Sequence, residues 1–375
     1  MSLDEERLAR VSLSRAVEPG DPRTAALVRQ LGPCQALEAL HRRAARGEGD
    51  IAPRAFETSP EHELAEAEKR GLRFVVPDDE EWPSGFADLG HAMEVQGLGG
   101  VPVGLWVRGP LRLRDAAPAV AVVGSRSATS YGLDQAARLA ADLALADCSV
   151  VSGAAFGIDK AAHVGTLAVN GATVAVLACG LDRAYPAAHA DLIERIAERG
   201  AVVSEVPPGM GPTRVRFLAR NRLIAAMSVG TVVVEAALRS GALNTAHWAE
   251  QMSRHVMGVP GPVTSASSQG VHELLRRGGV VVSRAEHVLE LVRPAGQDAV
   301  RDPRGPTRGG DALDTRARQL LDATPPGEAL SLASVAEAAA MQIRHAARGL
   351  ERLAAQGLVV EEGRGCWRRV NPAGT

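Results

Sequence analysis

Between residues 118 and 293, short apolar runs alternate with amphipathic stretches. The runs fall at residues 120–123, 149–151, 173–177, 201–204, 231–234, 255–259 and 280–282. Each is nearly continuous in valine, alanine and leucine, as expected for strands buried on both faces. The intervening stretches are long enough for crossover helices. The pattern predicts an α/β fold with a doubly wound, mostly parallel sheet and helices on both faces. In such folds ligands bind at the carboxyl ends of the strands.

The flanks follow other patterns. Residues 1–72 are helical in pattern, with apolar positions at Leu27, Leu31, Leu37 and Leu40 broken at Gly32-Pro33, and a charged helix near 61–70. This region resembles small helical domains of the sterile-alpha-motif or helix-hairpin-helix kind. Residues 73–118 are rich in Pro and Gly and lead into the sheet, giving a core domain of 73–293. Residues 294–312 are polar and rich in Pro, Gly and Arg, which marks a linker. Residues 313–375 carry three helical patterns and then a hairpin, the order of a winged helix. Arg344, His345, Arg348 and Arg352 fall along its third helix, and Arg364, Arg368 and Arg369 in its wing. A winged helix places such residues on DNA or on a protein partner, and the nearby acids Glu337, Glu351, Glu361 and Glu362 dilute the field.

Composition narrows the functional classes. A net charge of −2 over 375 residues gives no bulk attraction to nucleic acid, so any such binding needs a local basic patch. Lysine occurs only at Lys69 and Lys160. Cys34, Cys148, Cys179 and Cys366 form no CxxC pair, which argues against a zinc site or disulfide framework and fits a reducing cytosol. No signal-like start and no membrane-length apolar run is present, so a cytoplasmic protein without membrane association is expected.

The chemistry gathers where runs end. The first strand leads into Gly124-Ser125-Arg126, a strand-to-helix turn. Such a turn exposes backbone N–H groups and the positive end of a helix dipole, and Arg126 adds a forked cation suited to phosphate. The second strand ends at Ser152-Gly153, followed by Asp159, Lys160 and His163. Asp159 is read as a cap on the next helix, Lys160 as a phosphate contact, and His163 as a packing residue rather than a metal ligand. The GxGxxG turn and ribose-binding acid of an NAD site are absent. Residues 213–223, TRVRFLARNRL, set Phe217 and Asn221 among Arg214, Arg216, Arg220 and Arg222, a composition suited to stacking a base between cations. A further strand runs into Glu235 and the Ser240-Gly241 turn, a second anion-binding shape. Glu235 has no partner acid at a fixed spacing, which favours a hydrogen-bonding role.

Together these segments resemble the DNA-processing protein A family (DprA/Smf). The matching pieces are VGSRSATSYG at 123–132, SGAAFGIDKAAH at 152–163 and VAVLACGLDRAYP at 174–186. SEVPPG at 204–209, RNRLIAAMS at 220–228, VVVEAALRSGALNTA at 232–246 and VPGPVTSASSQGVHEL at 259–274 follow in order. The resemblance implies an extended Rossmann-like core that binds single-stranded DNA without cutting it. It also implies a RecA recombinase loaded onto incoming strands during transformation, and a homodimer formed through the core. No cofactor or metal is implied. Carried over, the DNA pocket comprises Gly124, Ser125 and Arg126, then Lys160, then Phe217, Arg220, Asn221 and Arg222, with Gly153, Ser240 and Gly241 completing the rim. The chain departs from the family pattern at Leu218-Ala219, ahead of the RNR triplet, and at His189, where the family usually has asparagine. The competing reading is a nucleotide phosphoribohydrolase of the lysine-decarboxylase-like type using Glu235, whose PGGxGT signature is missing here.

Overall fold

A computed structural model describes residues 3–46, 58–116, 118–294 and 313–370. Helices α1 (Leu3–Ala16), α2 (Pro22–Leu31), α3 (Pro33–Ala45) and α4 (Pro60–Lys69) come first. Strands β1 (Leu72–Val75) and β2 (Leu105–Arg108) follow. Then β3 (Ala119–Val123), α5 (Ser130–Leu145), β4 (Ser149–Ser152), α6 (Ile158–Ala168) and β5 (Thr173–Leu177) alternate. The alternation continues through α7 (Ala190–Arg199), β6 (Ala201–Ser204), α8 (Arg214–Ala226), β7 (Gly230–Val233) and α9 (Gly241–Gln251). It closes with β8 (His255–Gly258), α10 (Gln269–Arg276), β9 (Val280–Val281) and α11 (Ala285–Val292).

The nine strands form one sheet in the order β1-β2-β6-β5-β4-β3-β7-β8-β9. All neighbours from β6 to β9 pair in parallel, as the apolar runs predict. The β1–β2 and β2–β6 pairs are antiparallel, an extension that the Pro- and Gly-rich pattern of 73–118 conceals. Every residue of β3, β4, β5, β6 and β7 is buried. One apolar core lies against α8 and α9, with Leu223, Ile224 and Trp248 at its centre. A second lies against α5 and α6, built on Val120, Val122, Leu139 and Ile158. From β3 the chain winds outward through β4, β5 and β6, then returns to β7 on the other side of β3. The carboxyl ends of β3 and β7 therefore flank the topological switch point, where such sheets open a crevice.

By contacts the chain divides into Met1–Val300 and Arg301–Thr375. Residues 1–72 are thus part of the first unit rather than a separate one. Ion pairs stitch them to the sheet layer: Arg7–Asp79 and Arg216–Glu18, with Arg10 Nη1 donating to Val103 O. The segment 294–312, read as a linker, lies outside the described residues except for its first position.

In the second unit, α12 (Thr315–Asp322), β10 (Leu330–Ser331), α13 (Leu332–Ala338) and α14 (Ile343–Ala355) precede the hairpin of β11 (Val359–Glu361) and β12 (Cys366–Arg369). The three short strands pair antiparallel in the order β10-β12-β11. Leu320, Val335, Leu350, Leu353 and Trp367 form its own core.

Candidate nucleic-acid interface

A cleft of about 710 Å³ opens at the switch point. Its walls come from the turn after β3, the N-terminal half of α8 and the turn into α9. Gly124 is required where β3 ends: a Cβ there would meet Ile158 Cγ1 at 2.5 Å and Glu235 O at 2.8 Å. The turn's amides are less available than the sequence suggests. Ser125 N–H donates to Glu235 O at 2.7 Å and Ser127 N–H to Ser125 Oγ at 3.2 Å. The positive character of this wall therefore rests on the exposed Arg126 side chain.

Phe217 lies half-buried on α8, whose start is capped by Thr213 Oγ1 accepting Arg216 N–H. The Arg126 guanidinium stands 4.9 Å from the Phe217 ring centroid and that of Arg220 6.0 Å. Tyr185 approaches the same ring at 5.6 Å between centroids. The arrangement sets two guanidinium groups over an aromatic ring, a cation-π stack that a base can join and that brings cations beside its phosphates.

Arg220 forms the floor. It is buried, donates from Nη1 to Val176 O at 2.8 Å, and occupies the space above Gly153. A Cβ at Gly153 would fall 1.6 Å from Arg220 Nη1, so glycine is needed there to admit the guanidinium. Burial pulls the Arg220 guanidinium below its ordinary value, and the nearby Asp159 carboxylate opposes that shift. Burial pushes Asp159 up, opposed by Arg220 and by N–H donors from Ala155 and Gly153. Asp159 thus folds back onto the loop before α6, at 3.2 Å from Gly153 N and 3.4 Å from Ala155 N, instead of capping that helix.

Other predicted residues go elsewhere. Arg222 is not at the cleft: it is 1% exposed and paired with Glu205 through Nη1 and Nη2, both at 2.7 Å, and its Nε donates to Gly100 O. Helix positions 220 and 222, two residues apart, point to nearly opposite sides, which turns Arg222 toward Glu205 after β6 and Gly100. Lys160 is exposed on the first turn of α6 and does not line the cleft, although its neighbour Asp159 does. Asn221, Ser240 and Gly241 line it, and Asn221 Nδ2 ties α8 to α9 through Gly241 O and Asn244 Oδ1. Ser240 Oγ accepts the Ala242 N–H at the start of α9.

The lining residues beyond the predicted set include Arg214, Arg239 and Tyr185. Arg214 and Arg239 are exposed, and their side chains have no ion partner among the described residues. Each sits within a stretch already singled out, and Tyr185 is one of only two tyrosines in the chain, so composition carried a signal for all three.

Glu235 is 2% exposed and accepts from Thr129 N at 2.9 Å and Thr129 Oγ1 at 2.6 Å, binding the end of β7 to the start of α5. It does not line the cleft. His163 is buried, and Thr173 Oγ1 gives its proton to Val150 O, so the imidazole Nδ1–H donates to that hydroxyl at 2.8 Å. Burial, helped by Arg220 and His189, lowers His163 to about 3 and keeps it neutral. His189, the departure from the family pattern, lies against Ala154 O at 2.8 Å from Nδ1, supporting a residue at φ 52° beside Gly153. Among the described residues no group of three or more His, Cys, Asp or Glu could hold a metal. Among the described residues no helix is long and apolar enough to cross a membrane.

A family model described as DNA recombination-mediator protein A matches residues 73–293, more than half of the chain. The chain belongs to this family. A Mycobacterium tuberculosis relative, provisionally named DNA processing protein DprA, is 45% identical over 345 residues, covering 89% of this chain and 87% of the relative. The crystal structure of DNA processing protein A from Streptococcus pneumoniae is 27% identical, with a TM-score of 0.63, covering 78% of this chain and 99% of that one. A Helicobacter pylori DNA processing protein A, whose structure describes its single-stranded DNA binding mode, matches at a TM-score of 0.51 and 27% identity over 58% of this chain and 94% of that one. The matched span 73–293 contains the whole cleft.

Proposed function

We propose that this chain is a single-stranded DNA-binding recombination mediator that holds a bare strand in the switch-point cleft and acts without catalysis. The observation that carries this reading is the Phe217 ring at the cleft with the Arg126 and Arg220 guanidinium groups over it. Duplex bases are stacked and unavailable, whereas a single strand can lay a base on that ring while Arg126, Arg214 and Arg239 take phosphates. The Helicobacter pylori structure supports the choice of ligand. Within the same proposal, the chain protects incoming DNA in the cytoplasm, helps load a RecA-type recombinase in uptake and transformation, and pairs through its core into a homodimer. The second unit is a winged helix, on the strength of its three helices and β10-β12-β11 sheet. Two linked sites on one strand raise avidity without new contacts.

If Arg126, Arg214 and Arg239 all meet phosphate, the salt slope is about −2.1, a loss of ~18-fold between 50 and 200 mM salt. Fluorescence anisotropy with oligothymidine and a matched duplex tests the reading. Phe217→Ala is expected to weaken oligothymidine binding by about 1–3 kcal/mol, and Arg126→Ala to make the slope shallower by about 0.7. Unchanged affinity in both variants, or release of free base from a nucleoside monophosphate, would overturn it.

A further inference from the structure

The second unit carries a charged surface that the family match, ending at residue 293, does not reach. On α14, Ala346, Leu350 and Leu353 are buried and Arg344, Arg348 and Arg352 are exposed on the opposite face. Their i, i+4, i+8 spacing lines three guanidinium groups along about 12 Å of helix. Arg348 and Arg352 have no side-chain partner among the described residues, and Arg344 donates only to its neighbour Gln342. A second cation stands at the tip of the β11–β12 hairpin. Arg364 is exposed between Gly363 and Gly365 and held at φ 54°, where a non-glycine residue costs roughly 1–2 kcal/mol. Among the described residues no contact of its side chain compensates that cost. The hairpin's own acids are engaged internally: Glu361 accepts Gly365 N–H at 3.2 Å and Glu362 pairs with Arg368 at 2.5 Å.

We infer that this unit is a second nucleic-acid site, for duplex DNA, with α14 entering the major groove and the Arg364 hairpin reaching the adjacent backbone or minor groove. A single helix fits a groove about 12 Å wide, and cations along its face reach phosphates on both walls. The chemistry separates this site from the cleft. The unit's one Phe, Tyr or Trp ring, Trp367, is 8% exposed and belongs to the core. Its surface therefore offers charge and a rigid convex helix but no stacking platform, which suits a paired strand better than a bare one. A strained arginine on a projecting tip favours a groove over a flat acidic protein surface.

The test uses the full chain, labelled duplex of about 24 base pairs and oligothymidine of equal length. R344A/R348A/R352A is expected to weaken duplex binding at least tenfold near 100 mM salt and to make its salt slope shallower by about 2.7, with oligothymidine binding held within twofold. R364A is expected to weaken duplex binding alone, and R344K/R348K/R352K to retain the slope. A single charge reversal, R348E, reports on the same face should the triple variant misfold. Absence of duplex binding by the unaltered chain would overturn the inference in favour of a protein partner. So would unaltered duplex affinity in R344A/R348A/R352A and R348E, or equal losses on both probes. Oligothymidine binding reads the cleft separately, so failure here leaves that proposal standing.

Discussion

The four arginines of residues 213–223 have four environments although they sit within nine positions of one helix. Arg214 is free on the cleft wall, Arg216 reaches Glu18 in α1's following turn, Arg220 floors the cleft, and Arg222 is sealed against Glu205. The helical pattern was legible from sequence, and so was the mixture of Phe217 with cations. The fate of each cation was not, because each depends on a partner distant in the chain: Glu205 is brought to Arg222 only by the sheet. Removing one member of a buried pair leaves the other charge uncompensated, so Arg222→Ala should cost about 3–5 kcal/mol. Urea unfolding checks this, and the folded fraction should bind oligothymidine normally. At His163 the folded state holds a neutral imidazole, lowered to about 3, while the unfolded chain takes up a proton near the ordinary 6.5. Its stabilising contribution is therefore complete above pH 6.5 and is lost as pH falls from there toward 3. His163→Gln should flatten that decline in urea midpoint relative to the unaltered chain, and parallel declines would refute it.

At the level of elements, the parallel strands were readable because each is buried on both faces and hence apolar throughout. The antiparallel β1 and β2 were not, since a long Pro- and Gly-rich segment separates them. The glycine turn after β3 lines the cleft, but its Ser125 amide is taken by Glu235 O, a contact across more than a hundred residues. Glu235 thereby works at both ends, its carbonyl on Ser125 and its carboxylate on Thr129. Glu235→Ala strands the Thr129 donors and should cost about 1–3 kcal/mol in a thermal or urea melt, with Glu235→Gln milder because one acceptor remains. Equal and negligible effects would show that this junction between β7 and α5 is not held by the carboxylate.

Across the whole molecule, a net charge of −2 gives no bulk attraction to nucleic acid, so any affinity for it must be local. The switch-point cleft assembles its cations from three separate connections, which is why no single motif specifies the site. The parallel sheet and its switch-point cleft followed from the alternation of apolar runs, whereas Lys160 and Arg222 lie away from that cleft because adjacency in sequence does not set side-chain direction. A crystal structure of the chain with a short oligothymidine tests this account most directly. It should show a base stacked on Phe217 and phosphates within hydrogen-bond distance of Arg126 and Arg214 or Arg239. DNA bound on another face, with the Phe217 ring uncovered, would contradict it.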